Sequence, residues 1–400
     1  MKTGLFRVRA ESLRVAGLLA LLAAAAASAP GAGLPLKEPR LTEAEARERL
    51  AAYAASWHTR AEWEARAGNI RESILREANL TPLPTRCPLK PIVWGRQTGR
   101  GYTVENVAFQ SLPGFFVTGN LYRPTNTHGP FPGILCPHGH GVRPRLSATT
   151  QTRSAILARM GAVVFAYDMV GMADSTQAQH DDPNVLTLQL WDSIRALDFL
   201  TSLSEVDPKR LACTGESGGG TQTFLLAAVD DRLAVSVPVV MVSAHFFGGC
   251  KCESGLPIHH SDRHDTDNVE IAALFAPKPQ LVISDGKDWT RNVPQVEFPY
   301  IQSVYRLYGA TNQVENVHLA AEGHDYGPSK REAMYRFMAK HLKLKLKAAL
   351  TADGLLDESD TTLPPESLAV FTPNHPRPAD ALKDGSAVAE ALAAAKSARH

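Results

Sequence analysis

Residues Arg210 to Ala228 read RLACTGESGGGTQTFLLAA. An apolar run of strand character stops at Gly215, Ser217 follows, and an apolar run of helical character begins after Gly220. A serine on a sharp strand-to-helix turn has strained backbone angles and close neighbours. Glycines two before and two after it remove side chains that would collide, and Gly215 and Gly219 hold those places. The helix aims its free N–H groups at the turn, so the Gly218 N–H is placed to stabilise a negative oxygen. Ser217 is the candidate nucleophile. A glycine-rich turn without chemistry, or a phosphate loop, has the same local pattern; the rest of the chain decides.

A serine hydroxyl attacks only when a base takes its proton, and the base needs an acid to hold it, so this turn predicts an Asp or Glu and then a His downstream. Asp288 stands in SDGKDWT directly after an apolar run from Gln280 to Ser284, and His324 stands in AAEGHDYG directly after another from Val314 to Leu319. Both fall in loops at strand ends. A second oxyanion donor is expected from an upstream loop, and His138-Gly139-His140-Gly141 follows the apolar run Gly133 to Pro137. The backbone N–H of His140 is the expected donor.

Short apolar strands alternate with helical patterns across this region: a hairpin at Thr103–Phe109 and Phe115–Tyr122, then strands near 133–137, 162–167, 233–240, 280–284 and 314–319. Helices near 154–160, 185–203, 296–308 and 329–345 separate them. That alternation predicts an α/β fold with a mostly parallel, eight-stranded sheet covered by helices on both faces and active groups at the carboxyl ends of strands. Upstream, Thr42 and Glu45 have capping-box spacing, and two helices are expected over 41–80, with alternating charges reading as a solvated face. Prolines at 82, 84, 88 and 91 mark a connector. The division expected is 1–33 leader, 37–100 helical extension and connector, 101–345 catalytic domain and 346–400 tail, with partial docking at Leu368–Phe371.

The first residues carry Lys2, Arg7, Arg9 and Arg14, then an uncharged run from Val15 to Ala29, the pattern of a secretory leader cut between Ala27 and Gly33. Export is expected, without stable membrane insertion afterwards. Lys plus Arg number 42 against 41 Asp plus Glu, so no overall field draws the chain to nucleic acid. Five cysteines exclude a disulfide scaffold, and Cys136 and Cys213 read as buried small hydrophobes. The stretch Gly248–Asp265, GGCKCESGLPIHHSDRHD, invites a zinc reading through Cys250, Cys252, His259, His260 and His264. Its spacing matches none of the usual closed sites. No metal and no cofactor are expected; the stretch reads as an insertion walling the site, with Glu253 the alternative acid to Asp288.

The chain resembles the α/β-hydrolase superfamily, and within it the secreted bacterial acetyl xylan esterase-like and dienelactone hydrolase-like branch. The resemblance rests on PHGHG, YDMVGMADS, GESGGG, APKPQLVISDGKDWT and EGHDYG, and covers roughly 101–345. It implies cofactor-free ester hydrolysis through an acyl-serine on a small-molecule or polysaccharide ester, such as acetylated xylan. Ser217 stands where dienelactone hydrolases use cysteine, and Gly218 where glucuronoyl esterases usually carry arginine; both departures argue against those activities. The alternatives are a prolyl-oligopeptidase-type peptidase or aminoacyl hydrolase, and a non-catalytic secreted carbohydrate-binding protein on the same fold.

Overall fold

The computed structural model describes residues 40–125 and 128–398; the expected leader lies outside them. Two capped helices open the described chain. In α1 (Glu43–Ala54) the Thr42 side chain accepts from the Glu45 N–H while the Glu45 carboxylate accepts from the Thr42 N–H. Thr59 and Glu62 repeat the device at α2 (Arg60–Glu77). Each reciprocal pair satisfies donors that helix geometry leaves unmatched.

There follow β1 (Ile92–Gly99), β2 (Tyr102–Leu112), β3 (Phe115–Pro124), β4 (Phe131–Leu135), α3 (Ala148–Arg159), β5 (Val163–Tyr167), α4 (Val185–Ser202), β6 (Val206–Glu216), α5 (Gly218–Val229) and β7 (Leu233–Val239). The chain continues through α6 (Lys251–Ser254), α7 (Asn268–Ala273), β8 (Gln280–Asp285), α8 (Glu297–Leu307), β9 (Val314–Leu319), α9 (Pro328–Leu342) and α10 (Gly385–Ser397). One nine-stranded sheet runs in the order β1-β2-β3-β5-β4-β6-β7-β8-β9. It is antiparallel from β1 to β5 and parallel from β5 to β9.

The ninth strand is β1, which the proline-rich composition hid inside the expected connector. Its side chains are mostly half-exposed or exposed, so no alternating apolar pattern announced it. It survives as an edge strand because later chain covers it: Trp94 Nε1 donates to the Val370 carbonyl at 3.1 Å, and the indole stacks on His375 at 3.6 Å. The segment read as a tail is thus docked well beyond Leu368–Phe371. It ends in α10, whose Val388 and Leu392 are buried.

Period-two alternation divides the core. Val163 and Phe165 of β5 face the cluster containing α4, α5 and α8, whereas Val164 and Ala166 face α3 and α9. The helical extension is a working part of this packing. Arg66 pairs bidentately with the buried Glu270 carboxylate at 2.7 and 2.5 Å, and Arg71 donates to the Ala228 and Leu274 carbonyls. These charges point inward, correcting the expectation of a wholly solvated face. Burial of a carboxylate is tolerable here because the guanidinium fork accompanies it.

Strand order reverses between β4 and β6. The chain leaves β4 through α3 on one face, to β5, and returns through α4 on the other, to β6. Such a reversal opens a crevice beyond the carboxyl ends of the two strands. The loop after β4 carries His138–Gly141, and β6 runs into Ser217.

Candidate active site

Ser217 joins β6 to α5 with φ 55° and ψ −123°, angles that side-chain-bearing residues rarely adopt. A Cβ at position 215 would lie 2.5 Å from the Pro137 carbonyl oxygen, and one at 219 would lie 2.7 Å from the same atom. Both glycines are therefore required by the loop packed across the turn. Gly218 begins α5, so its N–H belongs to the first turn, where no intrahelical acceptor exists.

The loop after β4 is fixed from beneath. His138 is buried, its Nδ1 bonds the Gly139 carbonyl at 2.8 Å, and its Nε2 accepts from the Met169 N–H at 3.2 Å. Burial pulls this imidazole down to about 3, so it remains neutral. Arg153 donates to the Pro137 carbonyl and pairs with Glu216 at 2.9 Å, bracing both walls of the crevice. A Cβ on Gly139 would sit 3.3 Å from Ser217 Cβ, which brings the loop of the expected second oxyanion donor, His140, against the candidate nucleophile.

On the other side, His324 Nδ1 and Asp288 Oδ2 are 2.7 Å apart. Asp288 is buried, and its second oxygen accepts from both the N–H and the hydroxyl of Thr290 at 2.6 Å. An ionised carboxylate can only accept, so the His324 Nδ1–H is the donor in this contact. Ser217 and His324 line one cleft of about 490 Å3, with Gly139, His140, Arg143 and Tyr326. Trp289 packs on His324 at 4.3 Å and on Phe246 at 4.2 Å. Arg40 lies over Phe246, and the Leu41 N–H bonds the His245 carbonyl. The N-terminal arm thus buttresses the wall behind His324.

Glu253 lies elsewhere. Its carboxylate accepts from the Gly249 N–H at 2.8 Å and from the Thr221 hydroxyl at 3.1 Å, pinning the insertion to α5; the alternative acid has no contact with His324. His259, His260 and His264 are also occupied, by Asn268, Asp265 and the Ile258 carbonyl. Cys250 and Cys252 instead meet His140 and His180, their four ligating atoms all within 4.8 Å of one another. The sequence pattern gives His140 only a backbone role and offers no signal for His180.

The acetyl xylan esterase family model matches residues 78–248. Methylesterase BT1017 is 39% identical, with a TM-score of 0.82 over 90% of this chain and 82% of its own. The chain belongs to the acetyl xylan esterase-like α/β-hydrolases. The esterase is also 24% identical to a 4-O-methyl-glucuronoyl methylesterase of Neurospora crassa, over 78% of its own length and 84% of that protein. It shares the fold of a glucuronoyl esterase from Teredinibacter turnerae (13% identity, TM-score 0.55, 78% and 93% of the two chains). This esterase is a carboxylic ester hydrolase, which removes the non-catalytic reading. Among its described residues no helix is long and apolar enough to cross a membrane.

Proposed function

We propose that this esterase cleaves the alkyl ester of a sugar acid, releasing methanol through an acyl-serine intermediate. His324 Nε2 takes the Ser217 proton, Oγ attacks the ester carbonyl, and the N–H groups of Gly218 and His140 receive the oxyanion. His324 returns the proton to the departing methoxide. Water then repeats the cycle and frees the carboxylic acid. Asp288 fixes the tautomer and balances the imidazolium.

The observation that carries the reading is the likeness, over nine-tenths of the chain, to a methylesterase; it outweighs the expectation that Gly218, where glucuronoyl esterases usually carry arginine, argues against uronate esters. The cleft is consistent with it: about 490 Å3 beside Ser217 accommodates a sugar ring, and Arg143 on its wall suits the carboxylate that hydrolysis releases. The N-terminal pattern favours an exported enzyme meeting such esters on glycans. Deacetylation of a carbohydrate such as acetylated xylan is the second reading, favoured by the family model over 78–248.

The test compares kcat/KM on methyl glucuronate and methyl galacturonate glycosides with that on acetylated xylan and an aryl acetate. Higher values on the uronates support the first reading, and the reverse order installs the second. A serine-directed phosphonate should label Ser217; labelling elsewhere would overturn the mechanism.

A further inference from the structure

Four side chains from three loops converge beside the candidate nucleophile. His140 follows β4, His180 follows β5, and Cys250 and Cys252 flank the start of α6. His140 Nε2 lies 3.1 Å from each sulfur, His180 Nε2 lies 3.3 Å from Cys250 Sγ, and the two sulfurs are 2.7 Å apart. We propose that these residues form a closed tetrahedral Cys2His2 site for a soft divalent cation, zinc foremost, which clamps the oxyanion loop onto the nucleophile turn.

The donor set is the first argument. Two imidazole nitrogens and two thiolates suit Zn2+ and leave no open position, as in structural sites. Bonds of about 2.3 Å to sulfur and about 2.0 Å to nitrogen would set the sulfurs about 3.8 Å apart, so loading opens this contracted cluster by roughly an ångström. Two thiol protons pass to solvent on loading, and the dication then faces two thiolates, leaving the site neutral.

The supporting groups are the second argument. His180 Nδ1 bonds the Val170 carbonyl at 2.7 Å, which orients the ring and reserves Nε2 as a ligand. That loop is built for this approach: Gly171 has φ 81°, and a Cβ on it would fall 2.2 Å from the backbone nitrogen of His180. Cys250 Sγ accepts from the Cys252 N–H at 3.3 Å, as a thiolate ligand would. Glu253, held by Gly249 and Thr221, fixes the short helix that presents Cys252.

Position gives the site its consequence. The His140 ring lies on Gly218, and Gly139 lies on Ser217. An ion held here ties both expected oxyanion donors to one rigid point without touching the ester. Its role is positioning.

The experiment is metal analysis of the full chain, purified under reducing conditions and dialysed against Zn2+ and then metal-free buffer. About one equivalent of zinc per chain is expected, with Cys250 and Cys252 protected from thiol reagents until a chelator is added. Cobalt in place of zinc should give the absorption of a tetrahedral thiolate site. His180→Ala and Cys252→Ser should each lose the bound metal while circular dichroism shows them folded; the paired variants guard against one failing to fold. Absence of uptake by the folded wild-type chain would overturn the site, as would full retention in both variants. So would a Cys250–Cys252 disulfide that persists under reduction.

Discussion

A Cβ at position 218 would lie 2.6 Å from Cε1 of His140. The residue after the candidate nucleophile and the side chain on the opposing loop are thus in mutual contact, and only glycine leaves room for the imidazole. The space that an arginine would need at 218 is occupied.

Gly218→Ala should therefore lower kcat by up to about 100-fold, through displacement of the His140 loop from the oxyanion position. Alanine is a better helix residue than glycine, so loss of α5 is not the cause. Turnover within twofold of wild type, in a protein of unchanged circular dichroism, would separate the His140 loop from catalysis.

Ser217→Ala should reduce ester hydrolysis by about 10⁶-fold with the fold intact. Because φ at 217 is 55°, Ser217→Gly should be equally inactive yet more stable than Ser217→Ala, by about 1 kcal/mol. Urea unfolding of the two inactive variants reads this difference, and equal midpoints would remove strain from the account of the turn.

Asp288→Asn should cut turnover by about 10⁴-fold, since the amide favours the wrong imidazole tautomer at the 2.7 Å contact with His324. Glu253→Gln should instead cost about 1–3 kcal/mol of stability, through its contacts with Gly249 and Thr221. Kinetics and unfolding on both variants decide, and the reverse pattern would make Glu253 the acid.

Burial pushes the Asp192 carboxyl from an ordinary value of 3.8 up to about 7. The folded chain then binds this proton more tightly than the unfolded chain does. The resulting stability is fully present below about 4 and is lost as pH rises through 7, at a cost of up to about 4 kcal/mol. Asp192→Asn should flatten the decline in unfolding free energy between about pH 4 and about pH 7. A variant with the wild-type slope would assign that decline to other groups.

Local rules made much of this protein legible. Strand and helix periodicity gave the order of elements from β2 to α9 apart from the short α6 and α7, because each longer element buries one face whatever its neighbours are. Gly215, Ser217 and Gly219 marked the turn because the motif itself spans five residues, although the atom that requires glycine at both positions is the Pro137 carbonyl oxygen of the facing loop. Asp288 and His324 were found because parallel α/β sheets deliver such loops to one edge.

Other features had no local signature. Strand β1 exists through its pairing with β2 and its cover by Trp94, Val370 and His375, contacts far apart in sequence. Arg66 looked solvated until Glu270 was brought beneath it. His140 and Cys250 are 110 residues apart, and no spacing rule joins them. The sequence by itself determined where the candidate nucleophile turn and the candidate acid and base, Asp288 and His324, stand along an α/β chain. Which cysteines and histidines lie together was decided only when three loops met beside the strand-order reversal, and which carboxylate reaches His324 only when β8 and β9 paired, because side-chain proximity depends on sheet order and not on sequence distance.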